Sequence, residues 1–219
     1  MAASKRSVLS KRWSRSLVQA VEGLLASPAI DSDALTALVG RTPADAGGHC
    51  MIDLRALPMT RTVLRADLRG VNLSHTKWGP LAGLTRTTAT DCRCRAMAIG
   101  GVFGVRFTRC DFTGTKFKDC QGMPDTSFEG CDFDWCGFSG GNLFRCAFRD
   151  CRFRSARVSG TEFIECDFER CEFTEATFEC GSFGRSTFRD LANPCRTRTG
   201  ARTDATRHSR LAHGGLRRH

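Results

Sequence analysis

From Phe133 to Phe188 a large apolar residue returns at every fifth position: Phe133, Phe138, Leu143, Phe148, Phe153, Val158, Phe163, Phe168, Phe173, Phe178, Phe183, Phe188. Two residues ahead of each stands a small one, beginning Cys131, Cys136, Gly141 and ending Gly181, Ser186. A helix repeats its faces about every 3.6 residues and an alternating strand about every 2, so neither carries a beat of five. The pattern is an internal repeat, and it decides architecture before any local propensity does. The beat is already present at Val63, Leu68, Leu73 and Trp78. It is lost over 79–91, and the sequence suggests that it resumes one step out of phase at Cys92, Met97, Val102, Phe107, Phe112 and Phe117. One extra residue near Cys120 then shifts it to Met123 and Phe128.

Ahead of the repeat, residues 11–26 read as an amphipathic helix with Trp13, Leu17, Val18, Val21, Leu24 and Leu25 on one face. Ser10 is the expected N-cap and Pro28 follows the stop. Lys11, Arg12 and Arg15 crowd the positive end of that helix dipole, which reads as tolerated solvated charge. A second short helix is expected from Asp33 to Val39, closed by Gly40, with a linker over 41–50. The chain therefore divides into an N-terminal helical cap and linker (1–60), a repeat block (61–190) and an Arg-rich tail (191–219).

The units Ala66-Asp67-Leu68-Arg69-Gly70, Cys110-Asp111-Phe112-Thr113-Gly114 and Cys166-Asp167-Phe168-Glu169-Arg170 resemble the motif of the pentapeptide-repeat family. That motif is a small residue, Asp or Asn, a central Leu or Phe, then two polar residues. The resemblance covers roughly residues 61–190. It implies an all-β fold, a right-handed quadrilateral β-helix with one pentapeptide per side and twenty residues per coil. The central residue and the small residue two before it would both point inward.

Under that register, side chains twenty residues apart stand over one another at about 4.8 Å. Where a column crosses the extra residue near Cys120, the step is twenty-one. Cys110, Cys131, Cys151 and Cys171 form one inward column. The phenyl columns Phe112, Phe133, Phe153, Phe173 and Phe128, Phe148, Phe168, Phe188 fill the interior, each ring contributing about 1.5–3 kcal/mol when fully buried. Outward, Glu129, Arg149, Glu169, Arg189 alternate in sign, as do Asp150, Arg170, Asp190 and Asp132, Arg152, Glu172. Opposite charges on adjacent rungs pin the coil register. One outward column is apolar: Phe103, Pro124, Phe144, Ile164, ending at Gly184. Such a stripe needs a cover, from the N-terminal helix, a second copy or a protein partner.

Chemistry-bearing motifs are scarce. There is no CxxC pair and no His between His75 and His208, so no metal or cofactor is expected. The run Gly100-Gly101-Val102-Phe103-Gly104 lies inside the repeat and is no phosphate loop. Asp132 with Asp134, and Asp167 with Glu169, sit on a convex surface beside arginines, which does not suit acid–base catalysis. The chain has no apolar run long enough for a membrane span. Its thirteen cysteines are odd in number and follow the beat, which points to core filler in a reducing, cytoplasmic compartment.

The net charge of +10 is concentrated in the tail, where seven arginines face the single Asp204 beyond residue 191. The tail composition reads as disordered. Three functions follow as expectations. The first is a non-catalytic protein-interaction scaffold, as solenoids commonly are. The second comes from the resemblance: some family members act as DNA mimics on DNA gyrase or topoisomerase IV and confer antibiotic or toxin resistance. That role needs dense negative potential. Residues 123–190 carry thirteen acids against eight bases, but 92–122 carry two against six. The third is non-specific nucleic-acid binding through the Arg-rich tail.

Overall fold

A unit of five residues is long enough for one short strand and one sharp corner, so successive units wrap the chain around a four-sided prism. The computed structural model describes residues 9–46, 48–79, 82–98, 101–121, 123–179, 182–192 and 196–197. Two helices, α1 (Arg15–Leu25) and α2 (Ser32–Val39), precede the strands. All strand pairs are parallel, as a solenoid requires.

The fourth side of each coil is the most regular. It is a seven-stranded stack of Asp67–Arg69, Thr88–Thr90, Arg106–Thr108, Ser127–Glu129, Ala147–Arg149, Asp167–Glu169 and Thr187–Arg189. The first side starts with Ile52–Asp53 beside Val71–Asn72 and continues as single bridges through Arg93, Asp111, Asp132, Arg152, Glu172 and Ala192. On the second side Pro58–Met59 pairs Lys77–Trp78, and Lys116–Gln121, Arg157–Ser159 and Thr177–Glu179 stack further along. The third side carries Val63–Leu64, Gly83–Thr85, Gly101–Phe103, Glu162–Ile164 and Ser182–Gly184. The long strand Gly137–Phe144 runs from the second side into the third. Corners are made by residues in the left-handed region, among them Arg86 (φ 48°), Arg109 (φ 51°), Arg170 (φ 50°) and Gly160 (φ 62°).

Register explains both the regular block and the irregular one. Phe128, Phe148, Phe168 and Phe188 are successive partners, twenty residues apart. Phe107 pairs Phe128, which is the twenty-one-residue step. Residues 79–91 contain strands of their own, Gly83–Thr85 and Thr88–Thr90. The coil from Leu68 to Ala89 is one residue too long and the coil from Ala89 to Phe107 two residues too short. This corrects the phase expected at Cys92 and Met97. Arg93 pairs Asp111, so Cys92 stands level with Cys110 and Cys94 with Phe112. Stacking also begins earlier than Val63, at Ile52.

The interior is aromatic. Phe112, Phe133, Phe153 and Phe173 stack with centroids 5.1, 4.8 and 4.9 Å apart. Phe128, Phe148, Phe168 and Phe188 stack at 4.9, 4.8 and 5.0 Å, and edge-to-face contacts such as Phe128 to Phe133 at 5.1 Å join the two columns. Phe188, near the end of the stack, is only half-buried. Several of the small positions hold a side chain that donates a hydrogen bond. Cys131, Cys151 and Cys171 donate Sγ–H to the carbonyls of Phe107, Phe128 and Phe148, at 3.6, 3.5 and 3.4 Å. Ser186 does the same more strongly, to Phe163 at 3.0 Å.

The open N-terminal end of the prism is closed by the helices. Val18, Val21 and Leu25 of α1 and Leu35 of α2 join the same core. Ser14, not Ser10, caps α1, because its Oγ accepts the Leu17 N–H at 3.2 Å. The chain ahead of Ser14 is thereby free to dock. Trp13 Nε1 donates to the Arg55 carbonyl at 2.9 Å, and Arg12 Nη1 reaches Asp53 Oδ2 at 2.6 Å. Arg12 is therefore a partner of a buried carboxylate, not a tolerated surface charge. From within α1, buried Glu22 accepts the Arg61 N–H at 3.0 Å and the Thr60 hydroxyl at 2.9 Å. Gly40 ends α2, and the segment expected as linker forms a bridge, Arg41 to Ile52. Among the described residues no helix is long and apolar enough to cross a membrane.

Two predictions test this packing. A Cβ on Gly83 would lie 1.9 Å from the Gly101 carbonyl oxygen, whereas a Cβ on Gly101 meets only the Phe103 ring, at 2.8 Å. Gly83→Ala should therefore cost about 2–3 kcal/mol in denaturant unfolding and Gly101→Ala under about 1 kcal/mol, since only the second clash is with a side chain able to swing outward. The second concerns Asp53. Burial pushes its carboxyl up, but hydrogen bonds from Arg55 and Arg12 outweigh burial and hold it below the usual carboxylate range. A lowered folded pKa means stability that is present above about pH 4 and lost as pH falls through the folded value. Asp53→Asn should lower stability by about 2–3 kcal/mol at neutral pH and flatten that acid dependence, read from unfolding midpoints across pH.

Candidate interaction surface

The outward column of the third side places its apolar residues one above another. Phe144 pairs Ile164 and Ile164 pairs Gly184, while the Gly104 N–H donates to the Pro124 carbonyl at 2.9 Å, setting Phe103 beside Pro124. The column reaches further than the sequence suggested. Phe103 pairs Thr85 and Thr85 pairs Leu64, so Leu64 is its first apolar member. Leu64 and Phe103 are 46% and 44% exposed, which makes them two of the four exposed large apolar side chains among the described residues. Pro124, Phe144 and Ile164 are half-buried. The Arg145 guanidinium covers the Phe144 ring at 4.5 Å and is itself held by Asp125 at 2.9 Å.

The N-terminal helix does not cover this column. Its polar anchors, Arg12, Trp13 and Glu22, fasten it to Asp53, Arg55, Thr60 and Arg61 at the end of the prism. The reason is physical: the apolar face of α1 has a larger demand to meet at the open end, where Leu54, Leu57 and Met59 would otherwise face water.

The charge ladders are built into the same register. Glu129, Arg149, Glu169 and Arg189 are successive partners, with Arg149 Nε 3.3 Å from Glu169 Oε2. Arg170 forks onto Asp150 at 2.7 and 2.8 Å, and its hydrogen bonds hold the Asp150 carboxyl below the usual range. On the first side Arg152 pairs with Asp132 and lies 3.1 Å from Asp134, while Arg154 clasps Asp134 at 2.7 Å. Glu172 instead accepts the Thr174 hydroxyl at 2.7 Å, so it is not the ion-pair partner of Arg152 that its column position suggests. Burial holds the Asp132 carboxyl above the usual range despite Arg152. These carboxylates serve as rungs of ladders on a convex face. Among the described residues no three of His, Cys, Asp and Glu converge as a metal site.

The inward candidates lie where their columns put them. Phe112, Phe128, Phe133, Phe148, Phe153, Phe168, Phe173 and the thiols Cys110, Cys131, Cys151, Cys171 are all buried. The ten cysteines whose side chains are described are free thiols, and of these Cys50 alone is exposed. The tail beyond Thr197, with its arginines, lies outside the described residues. One residue without counterpart in the sequence reading is Trp135, 68% exposed at a corner between the first and second sides. It falls off the five-residue beat, so the periodicity that locates the core passes over it.

Residues 102–178 match a family profile described as "Pentapeptide repeat region". No curated protein sequence matches the chain. Solved structures similar to it include QnrB1, a plasmid-mediated fluoroquinolone resistance protein, at 16% identity over 66% of this chain and 91% of that one, with a TM-score of 0.25. Rfr23, a pentapeptide repeat protein from the cyanobacterium Cyanothece 51142, is 10% identical over 66% and 92%, with a TM-score of 0.33. HetL, a pentapeptide repeat protein involved in heterocyst differentiation regulation from Nostoc sp. strain PCC 7120, is 12% identical over 73% and 92%, with a TM-score of 0.23.

Because thiolates, not thiols, react, burial should silence the interior column. Burial pushes the Cys94 and Cys136 thiols well above their ordinary value, and although hydrogen bonding with neighbouring thiols holds Cys131 and Cys171 below it, the packed interior keeps reagent from reaching them. Alkylation of the native protein followed by peptide mapping should label Cys50 and spare the nine buried described thiols until denaturant is added. Labelling of Cys131, Cys151 and Cys171 at the rate of Cys50 would contradict the packed interior.

Proposed function

We propose, on the premise that this chain is a pentapeptide-repeat protein, that it is a non-catalytic scaffold whose third side receives a protein partner. The apolar outer column carries this reading. Leu64 and Phe103 remain about half exposed, and α1, the one intramolecular cover the sequence offers, is occupied at the end of the prism. Aromatic rings stacked through the interior leave the function to the outer surface. Free buried thiols in register suit a reducing compartment such as the cytoplasm.

A narrower reading, modulation of DNA gyrase or topoisomerase IV by duplex mimicry, has one observation in its favour: the acid excess of residues 123–190. Pairing weakens it. Asp125, Asp132, Asp134, Asp150, Glu165 and Glu169 are each bound to an arginine, so little of that charge projects as an uncompensated field.

Phe144→Ser with Ile164→Ser tests the scaffold reading. The double variant should keep its β circular dichroism while losing a partner captured by the wild type, or altering solubility or oligomeric state. If none of these changes, the third side is not the surface. A supercoiling assay with and without quinolone separates the narrower reading, for which inhibition or protection at micromolar protein is expected.

A further inference from the structure

Trp135 is the most exposed large apolar side chain among the described residues, and its backbone is left-handed at φ 61°. The conformation is the one the other corners share, but here it holds a bulky ring that gains little burial. Its neighbours in the corner column are small. The Gly114 N–H donates to the Asp134 carbonyl and the Trp135 N–H to the Arg154 carbonyl, which sets Gly114 and Ser155 on the flanking rungs. The ring therefore stands clear of the prism. It takes no part in the aromatic stacks, and the cation–π pairs of the described residues involve Trp13 and Phe144 instead.

The side that begins two residues beyond Trp135 gathers cations in register, and its described acid, Glu179, stands beyond Ser159 at the C-terminal end. Gly137 lies between Lys116 and Arg157, and Ser139 between Lys118 and Ser159. Lys77 continues the same side toward the N-terminal end, bridged to Ala98. None of Lys77, Lys116, Lys118 and Arg157 has an ion-pair partner among the described residues, whereas every arginine from Arg93 to Arg154 on the first side is held by an aspartate. Rungs about 4.8 Å apart and a rise of about 3.3 Å per residue put the backbone of Lys116 about 7 Å from that of Lys118 and about 10 Å from that of Arg157. Gly137, Ser139 and Ser159 between them make a low floor.

We propose that this second side, with Trp135 at its edge, binds single-stranded nucleic acid: the cations meet phosphates and the indole stacks on a base. The chemistry selects the single strand. A lone ring at a corner reaches a base face only where bases are unstacked, and a flat side has no helix or ribbon to enter a major groove. An acidic polypeptide would satisfy the cations but gives the projecting indole no planar partner. This site is separate from the apolar column of the third side and from the arginines of the tail.

Titration of the full chain with a fluorescein-labelled oligothymidylate of about 12 nucleotides, followed by anisotropy and by tryptophan emission, tests it. Binding should quench the emission of Trp135. Trp135→Ala should weaken binding about tenfold, and Trp135→Phe should restore it to within about threefold while abolishing the quench. Replacing Lys116, Lys118 and Arg157 together by Ser should reduce the slope of log affinity against log salt by about 2, at about 0.7 per lost phosphate contact. An unchanged slope and no quench would assign any binding to the tail and overturn the proposal. So would polyglutamate that quenches Trp135 as fully as the oligonucleotide, or a duplex of the same length that binds more tightly than the single strand.

Discussion

Backbone hydrogen bonds between successive coils fix the distance at which each side chain meets its counterpart one turn away. For phenyl rings that distance is favourable. Partners such as Phe133 and Phe153 lie 4.8 Å apart and 5° from parallel, wider than the thickness of a ring, which is an offset stack instead of a face-to-face sandwich. The same spacing brings thiols and hydroxyls under the carbonyls of neighbouring coils. It also brings outward charges into neighbouring rungs. A column of like charges would repel along its length, and alternation of sign is the arrangement the spacing tolerates. Interior and exterior are thus two consequences of one set of backbone bonds.

Where the beat of five is unbroken, that logic is readable from the sequence residue by residue. Phe128 to Phe188, Cys131 to Cys171 and Glu129 to Arg189 occupy the columns that simple addition gives them. Between Leu68 and Phe107 it is not readable. One coil is a residue too long and the next two residues too short, so the departures largely cancel and a fixed period finds the wrong phase. Cys92 and Cys94 are both apolar and small enough to pass for either inward position, and only the Arg93 to Asp111 bridge distinguishes them. Leu64 was hidden for the same reason, since its link to Phe103 passes through both irregular coils.

The placement of the N-terminal helices was legible in part. The apolar face of α1 follows from its spacing, but an apolar face carries no address. What directs it to the end of the prism is a set of polar contacts about forty residues apart in sequence: Arg12 to Asp53, Trp13 to the Arg55 carbonyl, Glu22 to Thr60 and Arg61. Burying these groups unpaired would be costly, so they discriminate between surfaces that apolar packing alone leaves equivalent. A solenoid end also exposes unpaired strand edges, and a helix across it removes that hazard at the first coil.

A filled prism can be recognised only through its outer columns, and their spacing is not negotiable. Distinction between sides must therefore come from which columns cancel their own chemistry and which do not. The first side cancels its charge by clasping Asp111, Asp132 and Asp134 with arginines of adjacent rungs. The third side interrupts the polar rule with Leu64, Phe103 and Ile164, and the second holds Lys116, Lys118 and Arg157 around glycine and serine with no ion-pair partner among the described residues. Gly137–Phe144 joins those two sides in one continuous strand, so the surfaces that keep unspent chemistry are neighbours, while the side that neutralises itself lies across the prism from the third. Asymmetry of this kind costs the fold little, because outward residues contribute little to the stack, and it is the freedom a repeat retains once its interior is fixed.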